Sequence, residues 1–507
     1  MTTNIVLGQL IVNRPKCEAA RTHLPSYDRN QLKHGIVHLS VGNFVCSHLA
    51  YYMDILASEH KQTDWGIVGI GVRSFDKTKS RIMKAQNGLY TLVTKGNDEN
   101  DVNVRIIGSL IDYIHASDEP ENALSILVHP NTKILSMTIT ASGYDLDMNN
   151  VDIQHDLKNP DKPRTIFGFI VHALDARRRA NEKPFTVMSC DNVQRNGEVI
   201  KRCVLQFAKG LNNTHLIEYI ETQVTFPSSM VDRITLATTD ADRKYVRLHY
   251  GISDGWPVIS EAFVQWVIED SFCNGRPPLE LLSSSPYNVL LTEHVEAYGN
   301  MKIHLLNASH ISMCYLGHLM GYTYIYEIML DKYSKIYIKQ LMNVEVTPIL
   351  PPVPGIDLEQ YKRTLIERFS NPNIKDTAVR VCRNGASKFS KFVVPIIVEQ
   401  LKRGNNPHFC ALSVGAWIRY LSGFDEQNKP IILQDTLAVE LKLSELAAKT
   451  RPDVKEILST NQIFDDLAKY PQFIEAVERV VQLLYEIGSK ETLKRWVNEA
   501  PYQNIIN

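Results

Sequence analysis

Between Tyr298 and His310 the chain sets a lysine, an asparagine and a histidine in a mostly apolar run, Tyr298-Gly299-Asn300-Met301-Lys302-Ile303-His304-Leu305-Leu306-Asn307-Ala308-Ser309-His310. An amine, an amide and an imidazole give donors and acceptors that can converge on one small polar ligand. On a helix Asn307 and His310 are three apart and share a face, whereas Lys302 and Asn307 fall somewhat out of phase. A satisfied core amide and imidazole beside a snorkelling lysine is the competing reading. A second constellation follows the strand-like string Gly35-Ile36-Val37-His38-Leu39-Ser40. There Gly42 permits close backbone approach, and the helix after it offers free N–H groups and a positive dipole end, the chemistry of pyrophosphate binding. Ser40 occupies the place of the first glycine of such a loop, and a plain strand-to-helix turn has much the same pattern. Asp76, at the end of the next strand, can accept hydrogen bonds from a ribose 2′-hydroxyl and repel a 2′-phosphate, which selects NAD over NADP; Arg73 beside it is a residue that accommodates that phosphate. Gly251-Ile252-Ser253-Asp254-Gly255 satisfies G-x-S-x-G, but Trp256-Pro257-Val258 follows as extended chain where a nucleophile elbow needs a helix, so the string reads as a turn.

The elements that must position these residues are legible in outline. Phe44, Ser47, His48, Tyr51, Tyr52, Ile55 and Leu56 recur at helical spacing after the first strand, and Trp65 to Val72 reads as a buried parallel strand, making a βαβ unit. Further strand-like segments at Leu89 to Thr94, Val102 to Ile107, Ile134 to Thr140 and Phe185 to Ser189 alternate with helical patterns such as Gly197 to Leu211. Turn residues from Cys273 to Asn288 break the periodicity. The expected organisation is α/β: a Rossmann-like domain over 1–285 and a mainly α-helical domain over 286–507. Apolar stripes at Leu305 to Leu319, Leu358 to Phe369, Val393 to Leu401, Ala411 to Leu421, Leu437 to Ala448 and Phe473 to Ile487 fill the second, with Pro348 to Pro354 as an internal loop.

Composition narrows the function classes. At 507 residues the length suits several domains of about 100 to 200 residues each. The charges, 55 basic against 56 acidic, sum to -1, which offers a polyanion nothing and makes nucleic acid an unexpected partner. The densest basic run, Arg177-Arg178-Arg179, reads as the solvated face of a helix. Eight cysteines with no C-x-x-C and no zinc-ligand spacing point to reduced thiols in a cytosol, and to no structural metal. In that compartment the sequons Asn212-Asn213-Thr214 and Asn307-Ala308-Ser309 have no meaning. The apolar stretch Ile5 to Val12 is interrupted by Gly8 and Gln9 and lacks a basic leader, and Phe392 to Val398 is far shorter than a span of roughly 20 residues, so neither secretion nor a membrane is expected. The oligomeric state is not written in the sequence, and a monomer is compatible with it.

Several strings together resemble the mannitol dehydrogenase family of polyol-specific long-chain dehydrogenases. They are Gly35 to Gly42, Trp65 to Arg73, Met188-Ser189-Cys190-Asp191-Asn192, Phe226 to Thr239, Phe263 to Asp270, Lys302 to His310 and Arg368-Phe369-Ser370-Asn371-Pro372. S-C-D-N, S-M-V-D-R-I-T and K-x-x-x-x-N-x-x-H, in this order, carry the specificity. The resemblance implies a Rossmann-like domain, a helical domain, an active site in the cleft between them, and metal-independent hydride transfer between a polyol or ketose and NAD. It implies Lys302 as general base, which requires a pKa lowered by burial. It implies Asn192 and Asn307 as alkoxide donors, and His310, Asp232, Arg380 and Lys388 along the polyol. Ser40, Val41, Gly42, Phe44, Arg73 and Asp76 would hold the cofactor. The implied reaction interconverts D-mannitol and D-fructose; hexuronates such as fructuronate and tagaturonate, or arabinitol, are the family's alternatives, and a catalytically weakened NADH-binding relative is the alternative of another class. This chain departs from the family's G-x-G-x-F-H-R-x-H loop at Ser40, Val45 and Cys46. It has Ala141 where T-E-x-G-Y carries an acid, and Gly299 where an acid stands three residues before the base.

Overall fold

The computed structural model describes residues 4–7, 10–13, 21–74, 76–449 and 452–500. Gly8 and Gln9, which interrupt the N-terminal apolar stretch, lie outside them. The chain divides into two units, Met1–Gly299 and Asn300–Asn507. The loop at 285/286, where the sequence suggests a boundary, stays with the first unit. It contains a cis Ser285–Pro286 bond and the 3-10 turn Leu279–Leu282, whose two terminal leucines are buried in that unit's core.

The first unit is built on a five-stranded parallel sheet. In chain order its strands are Ile36–Leu39, Ile67–Gly71, Leu110–His115, Ile134–Met137 and Thr186–Ser189, and in space they run third, second, first, fourth, fifth. Strand order therefore reverses between the first and fourth strands, the switch point at which open α/β sheets take their ligands. Four of the strands are buried throughout, because helices cover both faces, and so they read as unbroken apolar runs. Side chains still alternate: Val37, Val68 and Leu135 enter one core with helices Ile166–Arg179 and Asn196–Gly210, while Ile36, Ile67 and Ile134 enter the other with Leu49–His60. Tyr90–Lys95 lies between Val102–Ile107 and Val258–Glu261 in a separate sheet. Gly251 ends helix Asp240–Tyr250 at φ 68°, and Ser253 lies in the two-residue strand Ile252–Ser253, so no elbow forms.

Two local readings need correction. The helix expected from Phe44 to Leu56 is two, Asn43–Ser47 and Leu49–His60, broken at His48, whose φ and ψ are −117° and −86°. Arg177 is not on a solvated face. It is 0% exposed, and its guanidinium donates to the carbonyls of Lys183, Leu127 and His129. Arg178 and Arg179 do face outward, paired with Asp175.

The second unit is helical. Ala308–Leu319 packs on His408–Leu421, which packs in turn on Pro471–Glu486. Leu358–Phe369 matches its sequence pattern end to end, whereas the stripe from Leu437 to Ala448 resolves into two short helices, Thr436–Glu440 and Leu443–Ala447. No helix among the described residues is long and apolar enough to cross a membrane.

Candidate active site

In the first unit the turn after the first strand is where the sequence suggests nucleotide chemistry. Ser40 sits at φ 62°, the left-handed region that favours glycine, tied there by its N–H to the Ile70 carbonyl (2.8 Å) and by Thr138 Oγ1 donating to its carbonyl (2.9 Å). Gly42 has φ −83°, which any residue adopts, and a Cβ on it would meet nothing nearer than 4.0 Å. Nothing within the chain therefore demands glycine at 42, whereas a ligand lying close to the backbone does. A cavity of about 610 Å³ opens at this edge of the sheet, lined by Ser40, Val72, Arg73, Ser74 and Ile139 among others. Asp76 begins helix Asp76–Ala85, and its Oδ2 accepts the Arg73 N–H at 3.0 Å. The carboxylate so fixed keeps lone pairs for a ribose hydroxyl. These features fit a dinucleotide.

Val41 is buried and Phe44 is stacked on His48, ring centroids 4.9 Å apart. The five-residue helix Asn43–Ser47 is held from below by the segment 226–239 and its neighbours. Asn43 donates to Leu236 O and Thr238 Oγ1, Ser47 Oγ meets Thr235 Oγ1 at 2.7 Å, and Arg233 donates to Ser47 O. Lys79, which sequence reasoning passes over because it lies in the polar string Asp-Lys-Thr-Lys-Ser-Arg, turns inward to Asn43 and Cys46. His38, beneath the turn, is pushed down to about 3 by burial, with the Lys79 charge adding.

Asn192 is exposed in the loop after the fifth strand. Its neighbour Asp191 anchors that loop: the carboxylate accepts the N–H groups of Ile139 and Thr140, both at 2.9 Å, and the Tyr144 hydroxyl at 2.8 Å. Burial raises the Asp191 carboxyl, against the pull of these donors. Thr140 is held at φ 63°, ψ 163°, so two non-glycine residues in strained conformations, Ser40 and Thr140, flank the switch point. Ala141 opens the 3-10 turn Ala141–Tyr144 that brings Tyr144 to Asp191. Asp232 ends the strand Ser229–Asp232 and is buried; Arg233 donates to Ser47 O and Glu261 O and lies over the face of Tyr51.

In the second unit the decisive element is a π-helical turn, Lys302–Asn307, running directly into Ala308–Leu319. The N–H of Ala308 bonds to the Ile303 carbonyl, five residues back. In such a turn residues five apart stand one turn above each other, so Lys302 and Asn307 come into phase, and His310 follows three residues on. Uniform α-helical spacing left them out of register. Lys302 is 4% exposed. Asn307 Oδ1 and His310 Nε2 are buried without a hydrogen-bond partner, an arrangement that calls for a ligand with hydroxyls.

Around His310 lies a cluster of charged side chains. Burial, with Arg380, Lys388 and Arg368 nearby, pushes the imidazole down to about 4 despite the Asp376 carboxylate 3.6 Å away, so His310 is neutral at pH 7. Burial would raise Asp376, but Arg380, which grips it with two N–H groups, holds it below the usual carboxylate range. Lys388 donates to the Val381 carbonyl at 2.6 Å and is pushed down to about 8, by burial first and Arg380 second. Asp376 was findable, since it stands four residues before Arg380. Gly299 lies in the helix Val295–Met301, and a Cβ there would meet nothing within 4 Å. Among the described residues no group of three His, Cys, Asp or Glu could hold a metal ion.

The sequence matches the mannitol dehydrogenase Rossmann domain over residues 34–281 and the mannitol dehydrogenase C-terminal domain over residues 294–485. Mannitol dehydrogenase 2 of Saccharomyces cerevisiae is 40% identical over 485 residues, 94% of this chain and 95% of that protein. Mannitol 2-dehydrogenase of Emericella nidulans is 39% identical over 487 residues, covering 94% and 95%. Among solved structures, the ternary complex of Pseudomonas fluorescens mannitol 2-dehydrogenase with NAD and D-mannitol superposes with a TM-score of 0.89 at 39% identity, over 96% of this chain and 100% of that one. A substrate-free D-sorbitol dehydrogenase follows at a TM-score of 0.81 and 33% identity, covering 93% and 97%.

Proposed function

The chain belongs to the mannitol dehydrogenase family, and on that premise we propose that it interconverts D-mannitol and D-fructose with NAD, Lys302 acting as the general base. It is an NAD-dependent oxidoreductase acting on CH–OH. NAD, when bound, would supply the hydride acceptor for alcohol oxidation and, as NADH, the hydride donor for ketone reduction. The residues manage the proton and the charge. Lys302 Nζ, as the neutral amine, takes the hydroxyl proton as the hydride leaves, and returns it on ketone reduction. The amides of Asn192 and Asn307 donate to the oxygen while it carries negative charge. Neutral His310, with Asp232, Arg380 and Lys388, meets the remaining hydroxyls.

The observation that carries this reading is the π turn, which aligns Lys302 with the orphaned Oδ1 of Asn307 and Nε2 of His310. The Asp376–Arg380 pair favours an uncharged polyol over a hexuronate, because it neutralises Arg380 and leaves a carboxylate only Lys388 of the two cations assigned to the polyol. We place the reaction in the cytosol, in keeping with seven cysteines that are all free thiols among the described residues. A substrate panel tests the proposal: NADH oxidation with fructose, fructuronate and tagaturonate, and NAD reduction with mannitol, sorbitol and arabinitol. Mannitol and fructose should give the highest kcat/KM. A strong preference for fructuronate would overturn the substrate assignment, and NADH binding without turnover of any of them would favour the weakened relative.

A further inference from the structure

We infer that Lys79 supplies the fixed positive charge that holds the cofactor's pyrophosphate at the turn Ser40–Gly42. This rests on the reading of that turn as an NAD site and adds to it a residue from the neighbouring helix.

The helix Asp76–Ala85 is polar along most of its length, and its other lysines behave as surface lysines do. Lys77 pairs with Asp118, and Lys84 with Glu119. Lys79 instead turns inward and is 4% exposed. Among the described residues it makes no ion pair with a carboxylate. Its ammonium meets the Asn43 amide oxygen at 3.4 Å and the Cys46 thiol at 3.6 Å, and lies 5.2 Å from the centre of the Trp256 ring. The amide and the indole carry no charge, and a buried cation is costly unless an anion accompanies it. Burial pulls the amine below its ordinary value, with Cys46 and Asp76 opposing. The amine is thus placed without a carboxylate partner among the described residues.

Its location says which anion would complete it. Asn43 and Cys46 belong to the helix that starts directly after Gly42, so the ammonium lies against the element on which the pyrophosphate must rest. That helix has only five residues, and so few aligned peptide dipoles add little positive potential at its start. The turn needs charge from elsewhere. It is the Cys46 sulfur that Lys79 touches, so an arginine introduced at position 46 would return a cation to the same part of the turn.

The test is equilibrium binding of NADH, followed by its fluorescence at low and high salt, in wild type, Lys79→Met and Cys46→Arg/Lys79→Met, with thermal melts of the free proteins as controls. Lys79→Met should weaken binding about tenfold and flatten its salt dependence, and the double variant should recover most of both. A merely structural lysine predicts a lower melting temperature without that recovery. Lys79→Gln, which keeps a donor toward Asn43 and drops the charge, repeats the measurement if the methionine variant does not fold. Lys79 variants that bind NADH within twofold of wild type, or a double variant no better than the single, overturn the inference alone. Wild type that binds no NADH overturns the reading of the turn, and this inference with it.

Discussion

Glu345 offers a test of how the second unit holds its site. Helix His408–Leu421, against which the His310 helix packs, begins after Pro407 with no side-chain cap of its own. Glu345, 1% exposed, caps it from another segment: its two carboxylate oxygens accept the N–H groups of Phe409 (2.6 Å) and Cys410 (2.8 Å). Burial nevertheless raises its carboxyl from 4.5 to about 7, against the pull of those two donors. Between these values the folded protein binds a proton that the unfolded chain has released, so stability falls as pH rises through the window and is level above it. The interval of roughly 2.5 units corresponds to about 3 kcal/mol. Glu345→Gln removes the titration, but an amide nitrogen cannot accept, so one of the two N–H groups is left unpaired at every pH. Urea unfolding of both proteins from pH 4 to 8 should show the wild type losing about 3 kcal/mol relative to the variant as pH rises, from an offset of about 1–3 kcal/mol in the wild type's favour at pH 4. Parallel curves, or a wild type that gains on the variant with rising pH, would refute the assignment.

Other consequences can be checked alongside. Ser40→Gly removes the left-handed strain at φ 62° and should raise stability by about 0.5–1 kcal/mol in thermal denaturation, with NADH affinity retained; a destabilised variant would show that the serine is held there by more than its neighbours' hydrogen bonds. Gly299→Glu meets open space within a helix, so it should gain up to about 1 kcal/mol from helix propensity and shift the pH profile of fructose reduction; an unchanged profile would deny position 299 a part in proton delivery. His310→Gln should lower kcat/KM about tenfold while leaving its pH profile from 5 to 8 the same shape, because burial keeps the imidazole neutral down to about 4. Loss of an apparent pKa near 6 in that variant would contradict this.

The sequence showed most plainly what depends on periodicity. Ile36–Leu39 and Ile67–Gly71 stand where the apolar runs place them, and Leu358–Phe369 matches its stripe. Three features were illegible for stated reasons. The π turn at Lys302–Asn307 changes the residue repeat within a helix, and no residue type signals it, so the phase of Lys302 and Asn307 emerges only from the backbone. Arg177 and Lys79 lie in strings whose charge density reads as solvent-facing, yet each is buried by long-range partners, the Leu127 and His129 carbonyls in one case and the 43–46 helix in the other. The break at His48 falls within an unbroken apolar pattern and has no glycine or proline to mark it. Of the site, Asp191 stands inside S-C-D-N and Asp376 four residues before Arg380, yet the anchoring part each plays emerges only from the long-range donors it meets.

The central claim is that Lys302 is the base. The most direct measurement is the single-turnover rate of NADH formation from D-mannitol by wild type and Lys302→Ala, with NAD saturating and small primary amines added back. The account predicts a loss of about 10²–10⁴-fold in the variant, with NADH affinity intact and the rate partly restored by the amine. A loss of less than tenfold, or a large loss that amines do not touch and that travels with NADH affinity, would contradict it.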